Sequence, residues 1–375
     1  MIEGYRVKLL PNNRQQTLLS KSAGTARWAY NWCLSRQKEN YENGGKFIQD
    51  GELRKEITQL KKTDEYAWLN DVSAQIPKQA IKDACDAFKR FFKKQSNFPR
   101  FKRKRDNQEK FYQRYDRLKI FDGKANLEKI GWVRLAEPDR IPENVVYSNP
   151  RVKFDGINWW LTVGVTVEVD DNQVKAQKTE PIGIDLGLKT LAVCSNGMTF
   201  TKPDIKNQVK KLKRLQKRAS RYYEETKKQK QGGENRCKSA RLIKLETEIR
   251  KVHQRITNVL QNNIHQMTAQ LVKLNPEAIV LEDLNVSGML KNRHLSNSVR
   301  QAKFREIRRQ LEYKCGWNNI EFVLADRFYP SSKTCSSCGL IKQDLRLSDR
   351  VFKCECGLEI DRDFNASLNL KRLFG

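Results

Sequence analysis

Histidine is nearly missing from this chain. Three occur in 375 residues, at 253, 265 and 294, each isolated from the others, so a histidine general base has little support. Long apolar runs are missing too. No stretch approaches the roughly 20 residues that cross a bilayer, and the opening "MIEGYRVKLL" carries no signal-peptide core or cleavage site. The expectation is a soluble, cytoplasmic protein with no membrane partner. No internal repeat or long low-complexity segment is present. Acid is in the minority: 44 Asp and Glu face 73 Lys and Arg, a formal charge of +29, which raises the local concentration of polyanions and argues for a nucleic-acid partner. Nine cysteines are an odd number with local C-x-x-C spacing, which favours thiolates on metal over disulfides.

The rest of the composition permits a core. With 375 residues, 38% of them hydrophobic, the chain has room for two or three compact units. "GYRVKLLP" alternates as a short strand that stops at Pro11, expected as an edge or isolated first strand of a unit completed later. Apolar spacing predicts helices over 15–43 and 75–95, the second with Pro77 in its first turn. In "FPRFKRKRDNQEKFYQRYDRLKIF" cations alternate with aromatics. Cations suit phosphates and aromatic faces suit unpaired bases, so Phe98, Arg100, Phe101, Lys102, Arg103, Lys104 and Arg105 are candidate contacts to single-stranded or structured nucleic acid; a solvated basic linker is the other reading. "WWLTVGVTVEV" places Leu161, Val163, Val165, Val167 and Val169 on one face of an antiparallel β unit that could include the first strand. After residue 181 the pattern is α/β. "IGIDLG", "LAVCS", "EAIVLEDLN" and "IEFVLA" read as strands, and basic helices are expected over 204–230, 238–274 and 297–314.

Two constellations carry chemistry. Asp185 in "GIDLG", Glu282 ending "AIVLED" and Asp363 in "DRDFN" stand out by context, and the first two interrupt or end apolar strands where an unpaired carboxylate is costly and takes up a proton or a cation. Carboxylates from separate strands converging on one site would hold two Mg²⁺ for phosphodiester cleavage. Cys335 and Cys338 in "CSSC", with Cys354 and Cys356 in "CEC", are two local pairs a hairpin apart, the ligand set of one structural Zn²⁺ in a closed tetrahedral site. Cys33, Cys85, Cys194, Cys237 and Cys315 fall outside any ligand spacing and read as small core residues.

In order, "GIDLGLKTLAV", "VLEDLNVSGM", "SSKTCSSCG" and "CGLEIDRDFNASLNL" resemble the split RuvC motifs and inserted zinc ribbon of TnpB proteins, the RNA-guided nucleases of bacterial insertion sequences and relatives of type V CRISPR effectors. "ARWAYNWCL" and "FPRFKRKR" resemble that family's recognition and wedge segments, so the likeness spans nearly the whole chain. It implies an RNase H-like (RuvC) nuclease domain over 181–330 and 357–375, with a zinc ribbon inserted at 331–356. It also implies a β-barrel-like wedge domain over 1–10 and 97–180 carrying a helical recognition domain at 11–96. The implied partners are a guide RNA from the element's end and double- and single-stranded target DNA beside a short adjacent motif, with the protein a monomer or weak dimer in a prokaryotic cytoplasm. Carried over by position, the catalytic triad is Asp185, Glu282 and Asp363. Asp363 is preferred to Asp361 because the family acid stands two places before the Asn, here Asn365. "CEC" is shorter than the usual knuckle and "NAS" replaces Asn-Ala-Ala, but no carboxylate is lost, so an active enzyme is expected. Two further readings stay open: an RNase H-like transposase that needs no guide, and a nucleic-acid-binding regulator, guided or not, that does not cleave.

Overall fold

A computed structural model describes residues 2–104, 109–166, 177–231, 238–346 and 349–374, with the backbone alone at 226–231. The chain forms two compact units, Met1–Asp171 and Asn172–Gly375.

The first unit is a seven-stranded sheet with helices. Its strands are β1 (Ile2–Leu10), β2 (Lys110–Tyr112), β3 (Lys119–Phe121), β4 (Lys124–Leu127), β5 (Gly131–Leu135), β6 (Tyr147–Phe154) and β7 (Trp159–Thr166), in the spatial order β2-β6-β7-β1-β5-β4-β3. Every pairing is antiparallel, and the opening strand is central rather than an edge: Tyr5 faces Val163 in β7, while Leu9 faces Leu135 in β5. Leu161, Val163 and Val165 line one buried face as their alternation predicted, while Val167 and Val169 lie outside the described residues.

Helix α1 (Asn13–Glu42) starts at a capping box. The Asn12 side chain accepts from the Gln15 N–H at 2.9 Å and the Gln15 side chain accepts from the Asn12 N–H at 3.1 Å. Its buried stripe of Leu19, Ala23, Ala26, Tyr30, Cys33, Leu34 and Gln37 packs against α3 (Gln75–Phe92), which buries Ile81, Ala84, Cys85 and Phe88. Between them lies α2 (Asp50–Leu60), which buries only Leu53 and Ile57, too few apolar positions to announce a helical period. Helices and sheet share one apolar core.

The second unit has a five-stranded sheet ordered β10-β9-β8-β11-β12, from β8 (Ile182–Leu186), β9 (Ala192–Cys194), β10 (Thr199–Phe200), β11 (Ala278–Glu282) and β12 (Glu321–Ala325). β8, β11 and β12 run parallel, and β9 and β10 are antiparallel. The long helices are α4 (Lys206–Gln231) and α5 (Ala240–Lys273), which pack on each other through Leu212, Leu215, Leu245 and Ile249. After β11 come α6 (Val286–Lys291), α7 (Ser296–Ala302) and α8 (Phe304–Trp317). The single helix expected over 297–314 is therefore two. Lys303 takes a left-handed φ of 51° between them, and no glycine or proline marks the break in the sequence. The chain ends with a hairpin of β13 (Val351–Lys353) and β14 (Glu359–Asp361), followed by α9 (Arg362–Lys371), a helix the periodicity did not announce.

Side-chain alternation sorts this sheet into two faces. Ile182, Ile184 and Leu186 of β8, with Ile279 and Leu281 of β11, join α5 and α8 in one core. Val280 points the other way and packs with Leu370 of α9. Gly183 lies on that second face beneath α9: a Cβ there would fall closer than 3.0 Å to the Ser367 carbonyl oxygen and the Lys371 nitrogen. Only a glycine lets the helix come this close.

Candidate active site and metal centre

The same alternation decides where the acids go. The register pairs Ile279 with Ile182, Val280 with Gly183 and Leu281 with Ile184, so its continuation sets Glu282 beside Asp185, both on the α9 face. Asp363 enters from the first turn of α9. Three segments far apart in sequence thus deliver three carboxylates to one cleft of about 660 Å³, which they line together.

Their environments differ. Asp185 is 8% exposed; burial, reinforced by the charges of Glu282 and Asp363, holds its carboxyl well above the usual range, with Arg362 working against that. Glu282 is raised to about 7 by burial. The Leu186 N–H, which donates to its Oε1 at 2.9 Å, opposes the rise, and the Asp363 charge adds to it. Asp363 is held by Arg362, whose Nη2 lies 2.8 Å from its Oδ1, and by Arg350 at 3.7 Å from its Oδ2. Among the described residues, the three acids do not bring three oxygens together with all of them within 4.8 Å of one another. They line the walls of a site and do not close on one point.

Two neighbouring acids are already committed. Asp361 caps α9, its Oδ1 accepting from the N–H groups of Asp363 and Phe364 at 3.0 Å each. Asp283, next to Glu282, is bound by Arg308 at 3.0 Å and by Arg327 at 3.1 Å. Local geometry therefore separates each cleft acid from its neighbour. The cleft is rimmed by Lys189, Lys333, Arg346 and Arg350, and Phe328, 87% exposed, stands on its lining. Sequence reasoning passed over Phe328, Arg350 and Arg362; a cation or aromatic in a loop carries no periodic signal.

The four cysteines do close on a point. The Sγ atoms of Cys335, Cys338, Cys354 and Cys356 all lie within 4.8 Å of one another, with Cys335 to Cys356 at 3.6 Å and Cys338 to Cys354 at 3.5 Å. Tetrahedral metal–thiolate bonds of about 2.3 Å need spacings of this size. Burial pushes the Cys335 thiol up, but the N–H groups of Cys338 and Ser337, with the thiols of Cys354 and Cys338, together bring it down to about 6, while the same thiol contacts push Cys354 up. The short "CEC" pair keeps the turn by shortening its closure. In the first pair the Gly339 N–H reaches back four residues to the Cys335 carbonyl; in the second the Gly357 N–H reaches back three to that of Cys354, both at 3.0 Å. Cys33, Cys85, Cys194 and Cys315 are buried elsewhere, and Cys237 lies outside the described residues.

Two buried amides tie the first cysteine pair to α9. Asn365 accepts from the Ser336 N–H at 3.0 Å and donates to the Thr334 carbonyl at 2.7 Å; Asn369 donates to the carbonyls of Ser331 at 2.8 Å and Thr334 at 2.6 Å. Asp363 stands on the same helix, two residues before Asn365 and six before Asn369.

The basic segment of the first unit is heterogeneous. Phe98, Arg100, Phe101, Arg103 and Lys104 are exposed. Lys102 is not: its ammonium sits 3.2 Å from the Tyr30 ring centroid, its backbone is clamped by Asn31 at 2.8 and 2.9 Å, and burial pulls its pKa down to about 8. Arg105 lies outside the described residues.

A protein of Streptomyces pristinaespiralis named "Putative RNA-guided DNA endonuclease" is 30% identical over 370 residues, covering 98% of this chain and 88% of the relative. This chain belongs to the TnpB family. InsQ of Escherichia coli K12, also named "Putative RNA-guided DNA endonuclease", is 29% identical over 98% of this chain and 91% of its own. Family models match in three pieces. "Probable transposase" of the IS605 OrfB type covers 164–293, with Asp185 and Glu282; "Cas12f1-like, TNB domain" covers 304–370, with Asp363 and all four cysteines; "Helix-turn-helix domain" covers 1–46. In that last span this TnpB chain folds as the strand β1 and the single helix α1, not as two helices. The solved structure described as a Cas12f1–sgRNA–target DNA complex shares the fold at a TM-score of 0.54 and 16% identity, over 96% of this chain and 81% of that one. Among the described residues no helix is long and apolar enough to cross a membrane.

Proposed function

We propose that this chain is an RNA-guided DNA endonuclease of an insertion-sequence element, and that Asp185, Glu282 and Asp363 are its catalytic carboxylates. The observation that carries the reading is one cleft that combines those three acids with a rim of cations, in a family whose relatives bear that name.

The donor set fits Mg²⁺: three oxygen ligands, two of them buried enough to hold protons unless a cation replaces these. When bound, two Mg²⁺ would supply an activated water and a counter-charge for the leaving oxygen. The chain's own residues do the rest. The Leu186 N–H fixes the Glu282 carboxylate. Arg362 holds Asp363 until a cation competes for it. Lys189, Lys333, Arg346 and Arg350 offer phosphate contacts along the cleft, and the open face of Phe328 offers a stacking surface for a base of the strand entering it. The four cysteines fit one structural Zn²⁺, distinct from the cleft, with the Asn365 and Asn369 bonds carrying its rigidity to α9.

The family resemblance supports an RNase H-like nuclease domain over 181–330 and 357–375 with a ribbon at 331–356, a wedge over 1–10 and 97–180, and a recognition domain over 11–96. Exposed Phe98, Arg100, Phe101, Arg103 and Lys104 are proposed nucleic-acid contacts, whereas Lys102 anchors their loop. Protein made with its native flanking DNA should purify with a discrete RNA, and a new 3′ segment in that RNA should redirect cutting to the new complement. Asp185→Ala should abolish cutting while target binding stays within about twofold, since a carboxylate contributes little to holding a polyanion. The family model described as a "Probable transposase" favours a second reading, strand joining without a guide. Equal sequence-specific cutting by RNase-treated and untreated protein would establish that reading instead.

A further inference from the structure

Helices α1 and α3 and the loop after α1 form a groove of about 360 Å³ that no step of the cleavage reaction uses. Its walls are aromatic: Tyr41, Phe47, Phe88, Phe91, Phe92 and Phe98. The rings brace one another edge to face, Phe47 against Phe92 at 5.6 Å and 86°, and Phe91 against Phe98 at 5.3 Å and 83°. Three are left open, with Tyr41 80%, Phe92 57% and Phe98 53% exposed. The loop that completes the groove is pinned. Gln37 of α1 donates to the Ile48 carbonyl at 2.6 Å and accepts from its N–H at 3.1 Å, and Asn40 donates to the Lys46 carbonyl at 2.5 Å. Such an open, fixed aromatic surface marks a binding site.

Charge selects the occupant. No acid lines the groove, whereas Lys38 and Lys46 do, Lys38 sharing its charge with Glu42 at 3.5 Å, and Lys93 and Lys94 follow Phe92 in the chain. A second copy of this chain would bring its own +29 against those lysines. A nucleotide brings a flat apolar ring and a phosphate of the right sign. RNA presents unpaired bases in its own fold, whereas target DNA arrives as a duplex and opens only into a heteroduplex and a displaced strand, which the reading above leads to the cleft in the other unit. We propose that this groove is a stacking site for an unpaired base of the bound RNA, seated on Phe92 and Tyr41 with its phosphate on Lys46. The proposal rests on the guided reading above.

The test uses the full chain and a single-stranded RNA oligomer with one 2-aminopurine, an otherwise identical oligomer abasic at that position, and the DNA oligomer of the same sequence. The parent should quench 2-aminopurine on binding. Tyr41→Ala with Phe92→Ala should lose the quench and weaken the base-bearing RNA about 5- to 150-fold, the stacking of one base, with the abasic oligomer and the salt slope unchanged. Lys46→Ala should instead flatten the slope by about 0.7. Both aromatics are exposed, so the double variant should melt with the parent; Tyr41→Ala alone serves if it does not. Persistent quenching in the variant, equal weakening of base-bearing and abasic RNA, or an equal response to the DNA oligomer overturns the assignment. So does a dimer that the substitutions convert to monomer without changing base discrimination, which would make the groove a chain–chain interface. RNA that binds tightly with no base-dependent signal defeats the groove alone. Failure of RNA to bind at all defeats the guided reading and the groove with it.

Discussion

Gly183→Ala is the substitution whose effect on the cleft follows most directly from the geometry. The added methyl would lie within 3.0 Å of the Ser367 carbonyl oxygen and the Lys371 nitrogen, and 3.1 Å from the Leu370 carbonyl carbon. All three are backbone atoms of α9, so no rotamer change makes room. Either the helix lifts by about 1 Å or β8 bows. Overpacking of this kind costs about 1–3 kcal/mol, and removing a flexible glycine from the unfolded chain returns about 0.5–1 kcal/mol. The net loss is about 1–2 kcal/mol, or a melting point lower by roughly 2–8 °C for a unit of this size. Cleavage should suffer far more. Asp185 stands two residues along β8 and Asp363 in the first turn of the displaced helix, so their separation changes by the same 1 Å, enough for about a 10²-fold loss. Single-turnover cutting of a matched plasmid, target binding and thermal unfolding should be measured together. Gly316→Ala in α8, where a Cβ meets nothing within 4 Å, is the control and should stabilise the helix by about 0.5–1 kcal/mol with cutting unchanged. Cleavage by Gly183→Ala within threefold of the parent would refute the coupling of α9 to the site.

The buried acids predict a pH signature in Mg²⁺-free protein. Glu282 binds its proton more tightly folded than unfolded, so the stability it contributes is full below its ordinary value of 4.5 and is lost as pH rises through about 7. The loss is on the order of 3 kcal/mol; melting from pH 4 to 8 in buffer free of Mg²⁺, without a chelator that would strip zinc, should show it, Glu282→Gln should reduce it relative to the parent in the same buffers, and Mg²⁺ should restore stability above pH 7 in the parent only. Elemental analysis should find one zinc per chain, and Cys335→Ser should lose both zinc and solubility; under half an equivalent in active protein would remove the metal from the account. Arg100→Ala should flatten the salt dependence of RNA binding by about 0.7, while Lys102→Ala should leave that slope alone and cost about 1 kcal/mol of stability through Tyr30. The reverse pattern would show Lys102 to be the phosphate contact.

Strand alternation and helical stripes were legible in the sequence because burial writes them with a period: β7, α1, α3, α5 and the covered strands β8 and β11 all stand where the apolar spacing put them. Asp185 and Glu282 were legible because charge in or at the end of an apolar strand is conspicuous, whereas Asp363, in the first turn of α9, was read from the family resemblance. What stayed hidden has no period. α9 carries polar Asn365, Ser367 and Asn369 on its buried face, so it looks hydrophilic while packing tightly. The break at Lys303 is a single backbone angle. The burial of Lys102 depends on Tyr30 and Asn31, over seventy residues away, so no local reading of "FPRFKRKR" separates it from its exposed neighbours.

The two asparagine clamps give the four-cysteine segment an uneven tolerance for change. The stretch from Ser331 to Ser336 is written into α9 by four side-chain bonds, so inserting or deleting a residue there would shift the cleft's own helix. From Gly339 to Asp344 the residues are largely exposed, none of those bonds reaches them, and none of them lines the cleft, whereas Leu345 and Arg346 do. The Gly339–Asp344 length of chain can grow, shrink or be replaced by another hairpin provided the two cysteine pairs still meet and Arg346 keeps its place. A graft that lengthens it should leave cutting intact, and that turn is thereby a place where lineages of this nuclease can diversify without retuning the chemistry.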